Sequence, residues 1–227
     1  MELWDGNRMS YTKEKNLKKA ILFDLDGTLW DSSEQCTEAW NECLCTQTNL
    51  TKQIIVDDMH GYMGKTIEAI AALMLPELSK GEQLRIIKLC TDNEQVYLQN
   101  HKAKLYPDEY EILSELSEDY ELGIVSNCQD GYIQIYLVQC GFAELFCDFE
   151  SAGKTEKSKG ENIRLVMERQ GIDKCVYIGD TQGDCDAAAE AGIPFIHASY
   201  GFGRVDNAVG VLTKLSDLRE ILKSIGI

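Results

Sequence analysis

Asp24-Leu25-Asp26-Gly27-Thr28 follows the apolar run Ala20-Ile21-Leu22-Phe23. Two carboxylates one residue apart, where a strand runs into a glycine turn, can bind one cation together or divide nucleophilic and acid–base work. Reactions on phosphate monoesters need that division, because one group attacks phosphorus while another protonates the departing oxygen. A divalent cation nearby would hold Asp24 ionised, and Asp26 on the turn can carry a proton where its surroundings disfavour a second negative charge. Gly27 opens backbone angles closed to other residues, and Thr28 can hydrogen-bond back into the turn.

Three further stretches carry groups of complementary chemistry. Ser126-Asn127 ends a second apolar run, where a hydroxyl and backbone amides can hold phosphate oxygens. Lys159, in Ser158-Lys159-Gly160-Glu161, opens a helical pattern and can neutralise a carboxylate and a phosphoryl group, with Lys154 and Lys157 competing for the role. Gly179-Asp180-Thr181-Gln182-Gly183-Asp184 is another acidic strand end. Asp180 there can supply a carboxylate to a hard cation, and Asp184 can bind a metal-bound water or pair with the lysine. Oxygen ligands from one or two carboxylates, completed by water and substrate phosphate, are what Mg²⁺ prefers.

These groups need a scaffold that gathers strand ends. Strands are expected over 20–26, 121–127, 145–151, 175–180 and 194–199, separated mostly by helices over 108–117, 131–140, 160–170 and 184–191, with a last helix over 214–225. Near-continuous apolar strands suit a parallel sheet covered on both faces, with ligands beyond the carboxyl ends. Residues 32–104 differ. Ile67, Ile70, Ala71 and Met74 follow helical spacing, as do Ile86, Leu89 and Cys90, so an all-helical block follows the first strand. The expected division is therefore an α/β core over 1–31 and 105–227, with 1–18 as lead-in, and a helical cap over 32–104. A loop over 60–66 is its candidate specificity element, with Lys65 as a contact to an anionic leaving group.

Composition narrows the function. A chain of 227 residues suits one domain plus an insertion or two modest domains, and 44% apolar content with three prolines reads as an ordinary globular protein. A net charge of −16 argues against nucleic acid or an anionic membrane surface as partner, so a phosphorylated metabolite must find positive charge locally. Lys13, Lys15, Lys18 and Lys19 read as a solvated lead-in. Residues 1–17 lack the apolar core of a signal peptide, and the longest apolar run, 69–75, is far short of the ~20 residues that span a bilayer. The nine cysteines are an odd set without a C-x-x-C pair, and His60, His101 and His197 are scattered, which fits a cytoplasmic protein with reduced thiols.

The four motifs in this order, with a helical insertion after the first, resemble the haloacid dehalogenase superfamily of phosphohydrolases over about residues 19–225. The resemblance implies a doubly wound, Rossmann-like core with a helical cap. It implies Asp24 as the nucleophile that becomes an aspartyl-phosphate, and Asp26 as the acid for the leaving group and then the base for water. Ser126 and a lysine would bind phosphate, while Asp180 would hold Mg²⁺ with Asp24 and the Asp26 carbonyl. Within the superfamily, 28–32, 179–192 and Tyr200-Gly201-Phe202-Gly203 are similar to the phosphoglycolate phosphatase-like branch. That branch carries Lys-Pro at the third motif, whereas this chain has no proline between Pro107 and Pro194, so Lys159 is preferred by position, because Asn162-Ile163 suits the helix start. A β-phosphoglucomutase-like phosphomutase and a non-catalytic phosphate-binding module are the competing readings.

Overall fold

The computed structural model describes residues 17–227. Of the expected lead-in, Lys13, Lys15 and nearly all of the stretch read for a signal peptide lie outside the described residues. Along the chain the elements are β1 (Lys19–Phe23), β2 (Trp30–Asp31), α1 (Ser33–Gln47), α2 (Val56–Tyr62), α3 (Ile67–Met74), α4 (Lys80–Leu98) and β3 (Lys104–Leu105). There follow α5 (Glu109–Ser117), β4 (Glu121–Ser126), α6 (Tyr132–Cys140), β5 (Phe146–Ser151), α7 (Ala152–Thr155), α8 (Lys159–Gln170) and β6 (Lys174–Gly179). The chain closes with α9 (Gln182–Ala191), β7 (Phe195–Ala198), β8 (Gly210–Leu212) and α10 (Leu218–Ile225).

Six strands form one parallel sheet in the order β5-β4-β1-β6-β7-β8. The alternation within β1 explains the layers. Ile21 and Phe23 join a core of buried side chains on one face, and Ala20 and Leu22 join a second core on the other. Each fully buried Leu, Ile or Phe adds roughly 1.5–3 kcal/mol, so neither face could be left to solvent. The fold is the expected doubly wound α/β core with a helical insertion. From β1 the chain first builds outward through β4 and β5, then crosses to β6 and builds the other way. The reversal leaves a crevice beyond the carboxyl ends of β1, β4 and β6, where such sheets bind ligands.

Helices α1 to α4 occupy the excursion between β2 and β3. These two strands pair antiparallel, Trp30 with Leu105 and Asp31 with Lys104, so the inbound and outbound crossings form one short ribbon. The sequence pattern does not reveal it, nor the edge strand β8, because two or three residues are too few to show a period. The expected final helix begins later, at Leu218, after a 3₁₀ turn over Leu215–Asp217.

Gly27 is required where it stands. Its φ of +78° lies in the left-handed region, and a Cβ there would collide with the Asp180 carboxylate and come within 2.9 Å of the Phe202 ring. Gly27→Ala is therefore expected to cost about 1–3 kcal/mol in backbone strain alone. The collision adds to that, and a melt of the variant within a degree of the parent would refute the requirement.

Candidate active site

The main chain brings Asp24 to the sheet's edge, since its amide continues the ladder by donating to the Ile178 carbonyl at 2.8 Å. Strand β1 ends at Phe23, so both aspartates stand on the loop rather than within the expected strand. Amides of Thr28, Leu29 and Trp30 all donate to the Leu25 carbonyl, at 3.2, 2.8 and 3.2 Å, which winds this loop tightly.

Asp24 is fully buried, and its Oδ1 accepts from Lys159 Nζ at 2.9 Å. The same ammonium donates to Asp184 Oδ1 at 2.5 Å, bridging a carboxylate beyond β1 and one in the first turn of α9. The second oxygen of Asp184 accepts from the Thr181 amide at 3.0 Å and hydroxyl at 2.6 Å, which caps α9. This Thr-x-x-Asp cap starts α9 at Gln182, two residues ahead of the expected 184. Asp180 Oδ2 accepts from the Phe202 amide at 2.7 Å. Burial and the neighbouring Asp184 push Asp24 up to about 7 in spite of Lys159. Burial, with Asp184 and Asp24, holds Asp180 well above the usual carboxylate range. For Lys159 burial opposes the charge, yet the Asp184 and Asp24 carboxylates hold it well above the usual lysine range.

Two atoms of this cluster stand out: Asp24 Oδ2 and Asp180 Oδ1 are buried without a hydrogen-bond partner among the described residues. Asp24, Asp180 and Asp184 each offer an oxygen within 4.8 Å of the others. Unsatisfied hard oxygens in a buried acidic cluster fit a divalent cation of the Mg²⁺ kind. With both Asp184 oxygens engaged, the unsatisfied pair belongs to Asp24 and Asp180.

Asp26 faces different company. Its Oδ1 accepts from Trp30 Nε1 at 2.9 Å, Ser32 Oγ at 2.7 Å and Tyr132 OH at 2.9 Å. Ser32 Oγ and Tyr132 OH are themselves 2.7 Å apart. Two hydroxyl hydrogens must serve the three edges of this triangle, so it closes fully only when Asp26 contributes a proton. Burial raises Asp26 to about 6, although the Ser32, Tyr132 and Trp30 donors favour its charged form. Of these donors, Trp30 and Ser32 lie in the stretch 28–32 already singled out. Tyr132, at the start of α6, carries no signal in the sequence.

The other expected residues fall as follows. Ser126 is buried at the end of β4, and Asn127 Nδ2 donates to the Gly64 carbonyl of the insertion at 2.9 Å. Thr28 Oγ1 is buried without a partner among the described residues, so its hydroxyl does not bond back into the turn; its carbonyl accepts from Tyr200 OH at 2.9 Å. Lys154 is exposed and pairs with Glu150 at 3.2 Å, and Lys157 is exposed as well, so among the three lysines Lys159 is the one against Asp24. Lys65 is exposed, and its Nζ donates to the Gly61 carbonyl at 2.8 Å. A cavity of about 50 Å³ runs between insertion and core beside Asp26, Ser126 and Asn127.

Buried carboxyls make stability depend on pH. Burial raises Asp26 to about 6, Glu94 to about 7 and Glu109 to about 8. Such groups bind protons more tightly in the folded chain, so the stability they contribute is complete below about pH 4 and lost as pH rises through their folded values. In chelator, the thermal midpoint is expected to fall between about pH 5 and pH 8. A midpoint that climbs across that interval would mean that these carboxyls ionise freely in the fold.

The model of the haloacid dehalogenase-like hydrolase family matches residues 21–198. A phosphoglycolate phosphatase of Aquifex aeolicus is 26% identical over 212 residues, covering 90% of this chain and 96% of that protein. A phosphoglycolate phosphatase of Colwellia psychrerythraea is 27% identical over 197 residues, covering 82% and 86%. Among solved structures, a hydrolase of the haloacid dehalogenase-like family from Streptococcus pneumoniae superposes with a TM-score of 0.77 at 22% identity, covering 90% of this chain and 97% of that one. With the buried aspartates beyond β1 and the matched span from Ile21 to Ala198, the chain belongs to the haloacid dehalogenase-like hydrolase family.

Proposed function

We propose that this protein is a phosphatase that hydrolyses a small phosphorylated metabolite through an aspartyl-phosphate on Asp24. The observation that carries this reading is the contrast between two aspartates on one loop. Asp24 shares Lys159 with Asp184 and keeps one oxygen free, while Asp26 sits in a cage of an indole and two hydroxyls. Neighbouring carboxyls whose environments differ in this way take different roles in one reaction. The curated relatives named phosphoglycolate phosphatase support the same bond as the target.

In the proposed sequence Asp24 attacks phosphorus in line, and Lys159 offsets the charge of both nucleophile and phosphoryl group. The Ser126 hydroxyl and the Asn127 backbone amide hold phosphate oxygens. Asp26 releases its proton to the departing oxygen and then accepts one from the water that hydrolyses the aspartyl-phosphate. Asp24, Asp180 and the Asp26 carbonyl would hold Mg²⁺, with Thr28 and Asp184 supporting them. When bound, the ion supplies positive charge against which phosphate and carboxylates can approach each other. Residues 32–104 serve as a cap on a core of 1–31 and 105–227, a division supported by the ribbon that joins both crossings. A cytoplasmic setting with reduced thiols belongs to the same proposal.

Phosphate release from a panel of phosphorylated metabolites, with Mg²⁺ and then with chelator, tests the reading. Turnover that needs the metal supports it. Folded, metal-loaded protein that releases phosphate from no member would overturn it.

A further inference from the structure

The leaving group of the proposed reaction must lie against Asp26, which protonates it, and the space beside Asp26 is the cavity between insertion and core. The insertion contributes Trp40, Met59 and Glu94 to its wall. Glu94, on α4, is 4% exposed. Its Oε1 accepts from Gln129 Nε2 at 2.7 Å, and its Oε2 accepts from Trp40 Nε1. The Cys36 thiol also bonds this carboxylate, and three donors on about four acceptor sites leave one lone pair, so the side chain is presented to the cavity as an acceptor.

Acidic side chains outnumber basic ones around this space. Asp26 and Glu94 are its carboxyls, and Lys65 is the single cation among its lining residues. Lys65 is exposed and turned back to the Gly61 carbonyl, so among the described residues lining the cavity no buried cation faces Glu94. Burial is the main cause of Glu94's raised proton affinity, and the charge on Asp26 adds to it. Above about pH 7, the value to which burial raises Glu94, a carboxylate on the leaving group would bring a second negative charge beside it in the same enclosed space, where like charges repel far more strongly than in water. A hydroxyl or an ammonium would instead meet an acceptor.

We propose that this pocket selects a phosphate ester whose leaving alcohol carries hydrogen-bond donors and no negative charge, with Glu94 as the specificity-determining acceptor. The volume of about 50 Å³ makes that alcohol short. The proposal rests on the phosphatase reading and departs from what the relatives' names suggest, since glycolate is an anion.

The test measures kcat/KM for glycerol 1-phosphate, ethanolamine phosphate and 2-phosphoglycolate, with p-nitrophenyl phosphate as a generic ester. At least one of the first two is expected to exceed 2-phosphoglycolate by about tenfold or more, and their ranking separates hydroxyl from ammonium recognition. Glu94→Gln is expected to narrow that ratio by about tenfold, a change that general damage to the site would not produce. The wild-type ranking decides by itself if the variant does not fold. Preference for 2-phosphoglycolate, above all one lost in Lys65→Ala, would overturn the proposal in favour of an anion contact at Lys65. Release from p-nitrophenyl phosphate alone would overturn the pocket proposal and leave the phosphatase reading standing. No release from any ester would overturn both.

Discussion

Asp24→Asn is expected to lower phosphate release by at least ~10⁴-fold while making the metal-free protein more stable. An amide has nearly the shape of the carboxylate it replaces, and its oxygen can still accept from Lys159. It cannot form the acyl phosphate, so turnover through this residue ends. The same change removes one charge from a buried cluster in which burial and Asp184 already push Asp24 up to about 7. Relief of that charge near pH 8 is expected to add about 1–3 kcal/mol, read as a higher thermal midpoint in chelator. Activity and stability thus move in opposite directions. Retained turnover would remove Asp24 from the chemistry, and lost turnover with a lower midpoint would make its role structural.

Lys159→Met is expected to move both quantities downward. Lys159 is 4% exposed and lies between Asp24 and Asp184, so its loss leaves two buried carboxylates facing each other without compensation. Breaking a buried ion pair from one side costs about 3–5 kcal/mol, and loss of one preorganised charge from a reacting centre costs about 10²–10³ in rate. The destabilisation is expected to shrink at low pH, where the acids take up protons. It should also shrink in the double variant with Asp24→Asn, because one of the two opposed charges is then gone. Melts of the two single variants and the double, at two pH values, measure this directly. The same loss from Lys159→Met in the parent and in the Asp24→Asn background, at both pH values, would show that the lysine contributes packing rather than charge.

Both expectations begin from residues that the bare sequence singles out, and the reason is geometric. In a parallel sheet, residues far apart in sequence become neighbours when each follows its own strand. Asp24, Ser126 and Asp180 each follow a buried apolar run, so their gathering at one edge is legible once β1, β4 and β6 are read as adjacent. Lys159 carries a weaker signal, a helix start that distinguishes it from Lys154 and Lys157 by only a few residues. The surroundings of Asp26 are another matter. Trp30 and Ser32 come from a two-residue ribbon and the cap of α1, while Tyr132 arrives from α6. No periodicity encodes a partnership set by how a helix packs over a loop. Glu94 was illegible for the same reason. On α4 it reads as one of many surface acids, and only the fold turns it inward, against Trp40 and Gln129.

The ribbon at the base of the insertion has a mechanical meaning. Trp30 pairs with Leu105 there, and its indole also holds Asp26 at 2.9 Å; Ser32, just beyond the ribbon, holds the same oxygen at 2.7 Å. The joint on which the insertion would pivot and the clamp on the proposed proton donor are thus built from one stretch of chain. A swing of the helices would loosen two of the three grips on Asp26, and a tightening would restore them. If the insertion moves as a cap, proton affinity and hinge angle would behave as one variable, and the proposed acid would sense through its own hydrogen bonds whether the chamber above it is shut.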